Sequence, residues 1–324
     1  MTSRVDPAHL GSPTAAGRMC PTDYRYDPSL FDRGCDIVAD VLYVVGGLYG
    51  NVPALAAVER LAEAERVPVT IVCNGDFHWF DAEPAWFDEV ESRVASLTAT
   101  RGNVETEIAR SRDVGAGCGC AYPAAVDDDM VARSNEILRQ LRTAAGEIAI
   151  APRLASLPMH LTAAVGGARI GIVHGDAAAL AGWRFAPDAL DDPANRPWLA
   201  EIRAISRVDV FASTHTCLAA LRNFALPSGP LTVINNGAAG MPNFSGTCFG
   251  LISRIATRPS PHAFLYGSVR DGLFIDALPV AYDTEAFVDR FLRRWPAGSP
   301  AHASYFRRIV GGPDHPMAAA RPLP

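Results

Sequence analysis

Val41-Leu42-Tyr43-Val44-Val45 is apolar at every position and stops at Gly46-Gly47. A run this short and uniform predicts a strand buried on both faces. Directly after it, Val52, Leu55, Val58 and Leu61 recur at helical spacing, so residues 51–65 predict a helix. Residues 67–73 repeat the first pattern and close on Asn74-Gly75-Asp76. Residues 84–97 predict a second helix, and 98–101 a short strand ending at Gly102-Asn103. Alternating strand and helix predict an α/β sheet whose functional loops leave the strand ends.

Residues 126–145 predict the longest helix, with Val131, Ile137, Leu138 and Leu141 on one face. Beyond it the strands dominate. Residues 159–165 and 168–173 read as a hairpin across Gly166-Gly167, and 208–212, 231–234, 250–255, 263–269 and 273–278 as further strands. This predicts a second, mixed sheet packed on the first, and residues 284–295 predict a helix. Residues 1–35 are rich in Pro, Asp and Gly without an apolar stripe and read as an irregular extension. The Pro-rich end from Gly311 reads as loose. The expected organisation is one domain over 36–281, with the extension at 1–35 and a C-terminal helix and tail at 282–324. The segments before Arg33 and after Trp295 are candidates to cover a site or to mediate dimerisation; the pattern leaves the oligomeric state open.

Composition narrows the classes. With 324 residues, 49% of them hydrophobic, the chain can bury one large core. A net charge of -6 argues against nucleic acid or an anionic membrane surface as partner. All 29 basic residues are arginines, which excludes lysine Schiff-base chemistry and a P-loop lysine. The sequence lacks a charge-free apolar run of about 18 residues, so no membrane span is expected. Met1 to Arg18 lacks the pattern of a signal peptide. Seven cysteines are an odd number, and Cys118 and Cys120 stand too close for an easy bridge. Reduced thiols and a cytoplasmic location are expected.

Polar clusters gather where the apolar strands end: 46–51, Asn74-Gly75-Asp76-Phe77-His78, Gly102-Asn103-Val104-Glu105, His174-Gly175-Asp176 and Thr214-His215-Thr216-Cys217. Taken singly, each reads as a turn that caps a helix. Taken together, carboxylate, amide and imidazole groups converging from several strand ends suit a borderline metal ion.

In order and spacing these clusters resemble the calcineurin-like metallophosphoesterase family, over about residues 40–278. That family carries D-x-H-G-N, G-D, G-N-H-[DE], a lone His after a strand, and G-H-x-H. Here Gly47-Leu48-Tyr49-Gly50-Asn51 stands at the first motif, keeping the Gly-Asn turn without its ligands. Gly75-Asp76 matches the second motif. Gly102-Asn103-Val104-Glu105 matches the third, with Val104 where the family has the His that protonates the leaving group. His174 matches the lone His. The last motif has two registers. Thr214 to Cys217 can overlay it, with His215 as the first His and Cys217 replacing the second; or Ala212 to His215 can, with Ser213 replacing the first. The distance from Asp209 favours the former. Ile234-Asn235-Asn236-Gly237-Ala238-Ala239-Gly240 is similar to the family's I-N-P-G-S-x-G segment.

The resemblance implies a four-layer αββα sandwich of two mixed β-sheets flanked by helices. It implies a metal-dependent hydrolase of a small phosphoester, and Asp76, Asn103, His174 and His215 as ligands, with Cys217 a candidate fifth. Loss of the ligands at Gly47 and Tyr49 implies one divalent ion (Mn, Zn or Fe) in place of two. His78, Glu105 and Tyr49 are the candidates to assist catalysis, as general acid, charge or hydrogen-bond donor, with Asp176 a further carboxylate in reach. The same losses fit a second reading, a catalytically inactive member with a binding or regulatory role. A third reading groups Cys118, Cys120 and Cys217 as a soft-metal or redox set.

Overall fold

The computed structural model describes residues 16–322; residues 1–15 of the expected N-terminal extension lie outside it. Along the chain the strands are β1 (Ile37–Val38), β2 (Val41–Val45), β3 (Thr70–Asn74), β4 (Thr98–Thr100), β5 (His160–Val165) and β6 (Ala168–Val173). They continue with β7 (Val210–Ser213), β8 (Ala220–Leu226), β9 (Gly229–Asn235), β10 (Gly250–Ala256), β11 (Tyr266–Arg270) and β12 (Leu273–Val280). The helices are α1 (Val52–Ala64), α2 (Pro84–Val94), α3 (Asn103–Ala109), α4 (Asp128–Glu147) and α5 (Ala151–Ser156). Then come α6 (Pro187–Asp191), α7 (Arg196–Ser206), α8 (Thr284–Arg294), α9 (Pro300–Gly311) and α10 (Met317–Ala320).

Two six-stranded sheets result, ordered β1-β5-β6-β7-β9-β8 and β11-β12-β10-β2-β3-β4. Each is mixed. In one, β6, β7 and β9 run parallel; in the other, β2, β3 and β4 do. The two-residue period of β2 shows how the layers form. Leu42 and Val44 point into the core between the sheets, among Ile172, Val210, Ala212 and Ile255. Val41, Tyr43 and Val45 point outward, into a core shared with α1, α2, α4, α8 and α9. On the far face of the other sheet, Val173, Phe211 and Val233 pack against Leu199 and Ile202 of α7. This is the expected αββα sandwich. A continuous apolar run was required because both faces of β2 are covered.

Three stretches differ from the sequence reading. Strand β8 pairs antiparallel with β9 although Arg222 and Asn223 interrupt its apolar pattern. Arg222 is buried there, held by Asp191 at 2.6 Å and by the carbonyls of Ala319, Ala320 and Arg321. Those same bonds correct the expectation of a loose end beyond Gly311. His315 is buried and its Nε2 donates to the Ala219 carbonyl at 3.0 Å, and Ala320 sits in the core between the sheets. The third is α9, capped by Ser299, whose side chain accepts from the His302 N–H. Before residue 35, Phe31 and Tyr24 are fully buried, so the described part of the extension is anchored. No helix among the described residues is long and apolar enough to cross a membrane, and none of the seven cysteines is in a disulfide.

Candidate metal centre and its cavity

The C-terminal ends of parallel strands from both sheets meet at one place. Asn74 ends β3, and the chain then turns sharply, with Gly75 at φ 74° and Asp76 at φ 53°. A Cβ at Gly75 would lie 2.5 Å from the Gly102 nitrogen and 2.7 Å from the His174 ring, so the turn requires glycine. Asp76 tolerates the left-handed conformation as few residues do. Asn103 opens α3 just beyond β4, His174 follows β6, and His215 follows β7.

The hydrogen-bond partners fix which atoms face inward. His174 Nδ1 lies 3.0 Å from the Asn74 carbonyl, which can only accept, so that nitrogen carries the proton. His215 Nε2 lies 3.1 Å from the Cys120 carbonyl and is protonated for the same reason. The amide nitrogen of Asn103 donates to the Cys118 carbonyl at 2.9 Å, which orients its oxygen. The remaining lone pairs converge. His174 Nε2 lies 3.1 Å from Asn103 Oδ1, 3.2 Å from His215 Nδ1 and 3.3 Å from Asp76 Oδ2. All four residues are buried.

Four acceptors in one enclosed place need a shared positive charge, either a proton or a metal ion. The titration behaviour agrees. For Asp76, burial pushes the carboxyl up, but the facing His174 and His215 outweigh it and the net direction is down. For His174, burial pulls down, and the Asp76 carboxylate and Asn74 carbonyl reverse it to a net rise. Burial, then the neighbouring His174, pushes His215 down to about 3, leaving a neutral imidazole with a free lone pair. This donor set fits one borderline divalent ion, and the backbone carbonyls behind each imidazole fix the tautomer as metal sites do. Among the described residues, Asp76, His174 and His215 are the only such group of His, Cys and carboxylate side chains.

The second register of the last motif does not survive. The Ser213 hydroxyl donates to the Gly175 carbonyl, away from the cluster, whereas His215 joins it. Cys217 stands where the first register puts it, but it is not a ligand of this group. Its Sγ lies 2.8 Å from the Tyr49 hydroxyl and 3.5 Å from the His215 carbonyl. Tyr49 donates to the sulfur, and the thiol proton goes to the carbonyl. Burial raises both groups, so both keep their protons. The Tyr49 ring also covers Gly47, where an added Cβ would lie 2.9 Å from it.

Two candidates are corrected by position. His78 is fully buried outside the cavity, 3.1 Å from Asp81 and 3.2 Å from Glu91, and stacked on Phe87 at 3.7 Å. With both ring nitrogens engaged, it is neither a ligand nor a proton donor to the site. Glu105 accepts from the backbone N–H groups of Asp76, Phe77 and Gly102, at 2.8, 3.0 and 2.8 Å. It holds the two ligand loops together and does not face the cavity. Asp176 is occupied in the same way by the N–H groups of Ala178, Ala179 and Arg184. Cys118 and Cys120 are buried, and among the described residues they do not gather with Cys217 into a group close enough to share an ion.

Asp76, Asn103 and His215 open onto a cavity of about 270 Å3, with Tyr49 and Cys217 at its wall. The other walls are mostly apolar and aromatic, with Trp79, Tyr122, Trp183, Tyr305 and Leu218, and one cation, Arg308. Tyr305 and Arg308 come from α9, a helix the sequence pattern had not suggested. Ser299-Pro300 followed by Ala301, Tyr305 and Ile309 at four-residue spacing was the signal for it. The segment after Trp295 therefore covers the site.

No family model and no curated protein matches the sequence. The fold is matched by solved structures. A hypothetical protein from Pyrococcus horikoshii OT3 aligns with a TM-score of 0.57 at 17% identity, over 86% of this chain and 100% of that one. A metallophosphoesterase from Sphaerobacter thermophilus aligns with a TM-score of 0.52 at 18% identity, over 85% of this chain and 100% of that one. At these identities the likeness shows the fold: this chain has the metallophosphoesterase fold.

Proposed function

We propose that the protein is a metal-dependent phosphoesterase that works with one divalent ion and acts on a small phosphoester. The observation that supports this most is the convergence of four acceptors with their tautomers and amide orientation already set. Asp76, Asn103, His174 and His215 would hold the ion, which would supply Lewis acidity, acidifying water and polarising a phosphoryl oxygen. The protein's own groups do the rest. Backbone donors to Glu105 hold the Asp76 and Asn103 loops at a fixed separation. Aromatic walls keep water from the organic part of a ligand, which strengthens every electrostatic contact inside. Val104, at the position of the family's acid, cannot donate a proton, and His78 is out of reach. The reading therefore favours esters whose leaving group departs without a strong acid.

The test is metal content by mass spectrometry on protein purified without chelator, together with Asp76→Asn and His215→Ala. About one ion per chain in the wild type, lost in both variants, is expected. Turnover of simple phosphoesters by the loaded protein should disappear with the ion. No ion after incubation with Mn, Zn or Fe(II) would overturn the proposal. A bound ion without turnover would favour a binding role for the same site.

A further inference from the structure

Among the described residues Arg308 is the one cation on the cavity wall, and its bonding is incomplete. Its Nη2 donates to the Cys217 carbonyl at 2.7 Å, and its Nε is buried without any partner. Among the described residues it forms no ion pair. Two other arginines show the contrast: fully buried Arg254 sits between Glu65 and Asp276, and half-buried Arg110 between Asp23 and Glu107. A guanidinium offers five donors in a planar fork, and here one of them is used. The Cys217 carbonyl anchors it on the Tyr49–Cys217 side. Arg308 is half-buried, so its free donors are within reach of both water and the cavity, and an anion bound there would complete the guanidinium with charge-assisted hydrogen bonds.

The walls restrict what that anion carries. Trp183 is fixed by its Nε1, which donates to the Cys120 carbonyl at 2.9 Å. Its ring meets His215 edge-on at 5.4 Å and lies 6.2 Å from Tyr122. Trp79 and Tyr305 form a second edge-on pair at 6.2 Å. Held aromatic rings around a cavity favour a flat apolar group.

We propose that Arg308 binds the phosphoryl oxygens of a bound ester from the Tyr49–Cys217 side, and that the aromatic walls hold an aryl group on that ester. The proposal rests on the reading that the four acceptors hold a divalent ion. Arg308 then supplies the second positive charge that phosphoryl transfer requires. A fixed guanidinium does this in the half of the cavity where Tyr49 and Cys217 leave no place for another ion.

The experiment uses the full chain loaded with zinc and two probes without a hydrolysable ester, phenylphosphonate and methylphosphonate, titrated calorimetrically. Metal content and melting temperature are read on the same samples. Arg308→Ala should weaken both probes about 10- to 100-fold with zinc content unchanged. Arg308→Lys, which keeps the charge and loses the fork, should weaken them less. Phenylphosphonate should bind about tenfold tighter than methylphosphonate, and Trp183→Ala should narrow that gap. Unchanged affinity in zinc-loaded Arg308→Ala overturns the role of Arg308 and leaves the metal reading standing. Equal affinity for the two probes overturns the aryl preference. Wild type that takes up no zinc overturns the metal reading and this inference with it. If Arg308→Ala does not fold, wild-type affinity in Arg308→Lys overturns the guanidinium's role.

Discussion

Two halves of one cavity are built from similar polar residues and solve opposite problems. Asp76, Asn103, His174 and His215 present four lone pairs to each other, with the donors on those side chains already committed to backbone carbonyls and, for Asn103, also to the Cys120 sulfur. Tyr49 and Cys217 pair donor to acceptor: hydroxyl to sulfur, and thiol to the His215 carbonyl. The first half is short of one positive charge. The second is internally satisfied, and its tyrosine ring fills the space over Gly47. Whether buried polar residues make a metal site is thus decided by how their hydrogen bonds balance, more than by which residue types are present.

The largest effect should come from breaking the unsatisfied half. Asp76→Asn keeps the left-handed backbone, since asparagine accepts it, but removes the charge that draws the ion. Wild type should gain about 4 kcal/mol of stability at a metal concentration 1,000 times the dissociation constant. The variant should gain almost none, read as the difference in melting temperature with and without zinc. Next in size is Glu105→Ala. Three backbone N–H groups would lose their acceptor, at about 1 kcal/mol or more each. Chemical denaturation should show a loss of roughly 3 kcal/mol, and metal affinity should fall although Glu105 touches no ion. Loss of turnover with full stability would instead restore a catalytic role to this carboxylate.

Much of the first half was legible in the sequence. Strand ends were marked by apolar runs stopping at Gly or Asn, and the order of Asp76, Asn103, His174 and His215 along the chain pointed to one site. His78 misled because it lies two residues from Asp76. The turn at Gly75-Asp76 sends its ring away, to Asp81 and Glu91. Glu105 misled because a buried carboxylate that collects backbone donors looks in sequence like one that faces a substrate. The second half was hardly legible. The Tyr49–Cys217 contact joins residues 168 positions apart. Arg308 sits beside the exposed Arg307 on α9, and no local pattern separates the one that turns inward. Local patterns report elements and turns; pairings across the sandwich are set by tertiary packing.

Gly47→Ala tests whether the filled half is as tight as it looks. The new methyl would sit 2.9 Å from the Tyr49 ring at a backbone φ of 65°. Left-handed strain and overpacking together should cost roughly 2 kcal/mol. Metal content should stay at the wild-type level, because the four acceptors are untouched. A second ion appearing in Gly47→Asp combined with Tyr49→His and Cys217→His would show that the missing ligands and the tyrosine ring together had excluded it.

The smallest effect is the most discriminating. Tyr49→Phe keeps the ring over Gly47 and removes only the hydroxyl that donates to Cys217. The sulfur still donates to the His215 carbonyl, so the loss is one neutral hydrogen bond, about 1 kcal/mol in denaturation. Zinc stoichiometry should not change. If Tyr49 acted on substrate as a donor, turnover would fall by orders of magnitude while stability barely moved. If its proton serves Cys217, as the 2.8 Å contact indicates, turnover should stay within a few-fold of wild type. The ratio of the two losses therefore separates a residue that closes the abandoned half of the site from one that works in it.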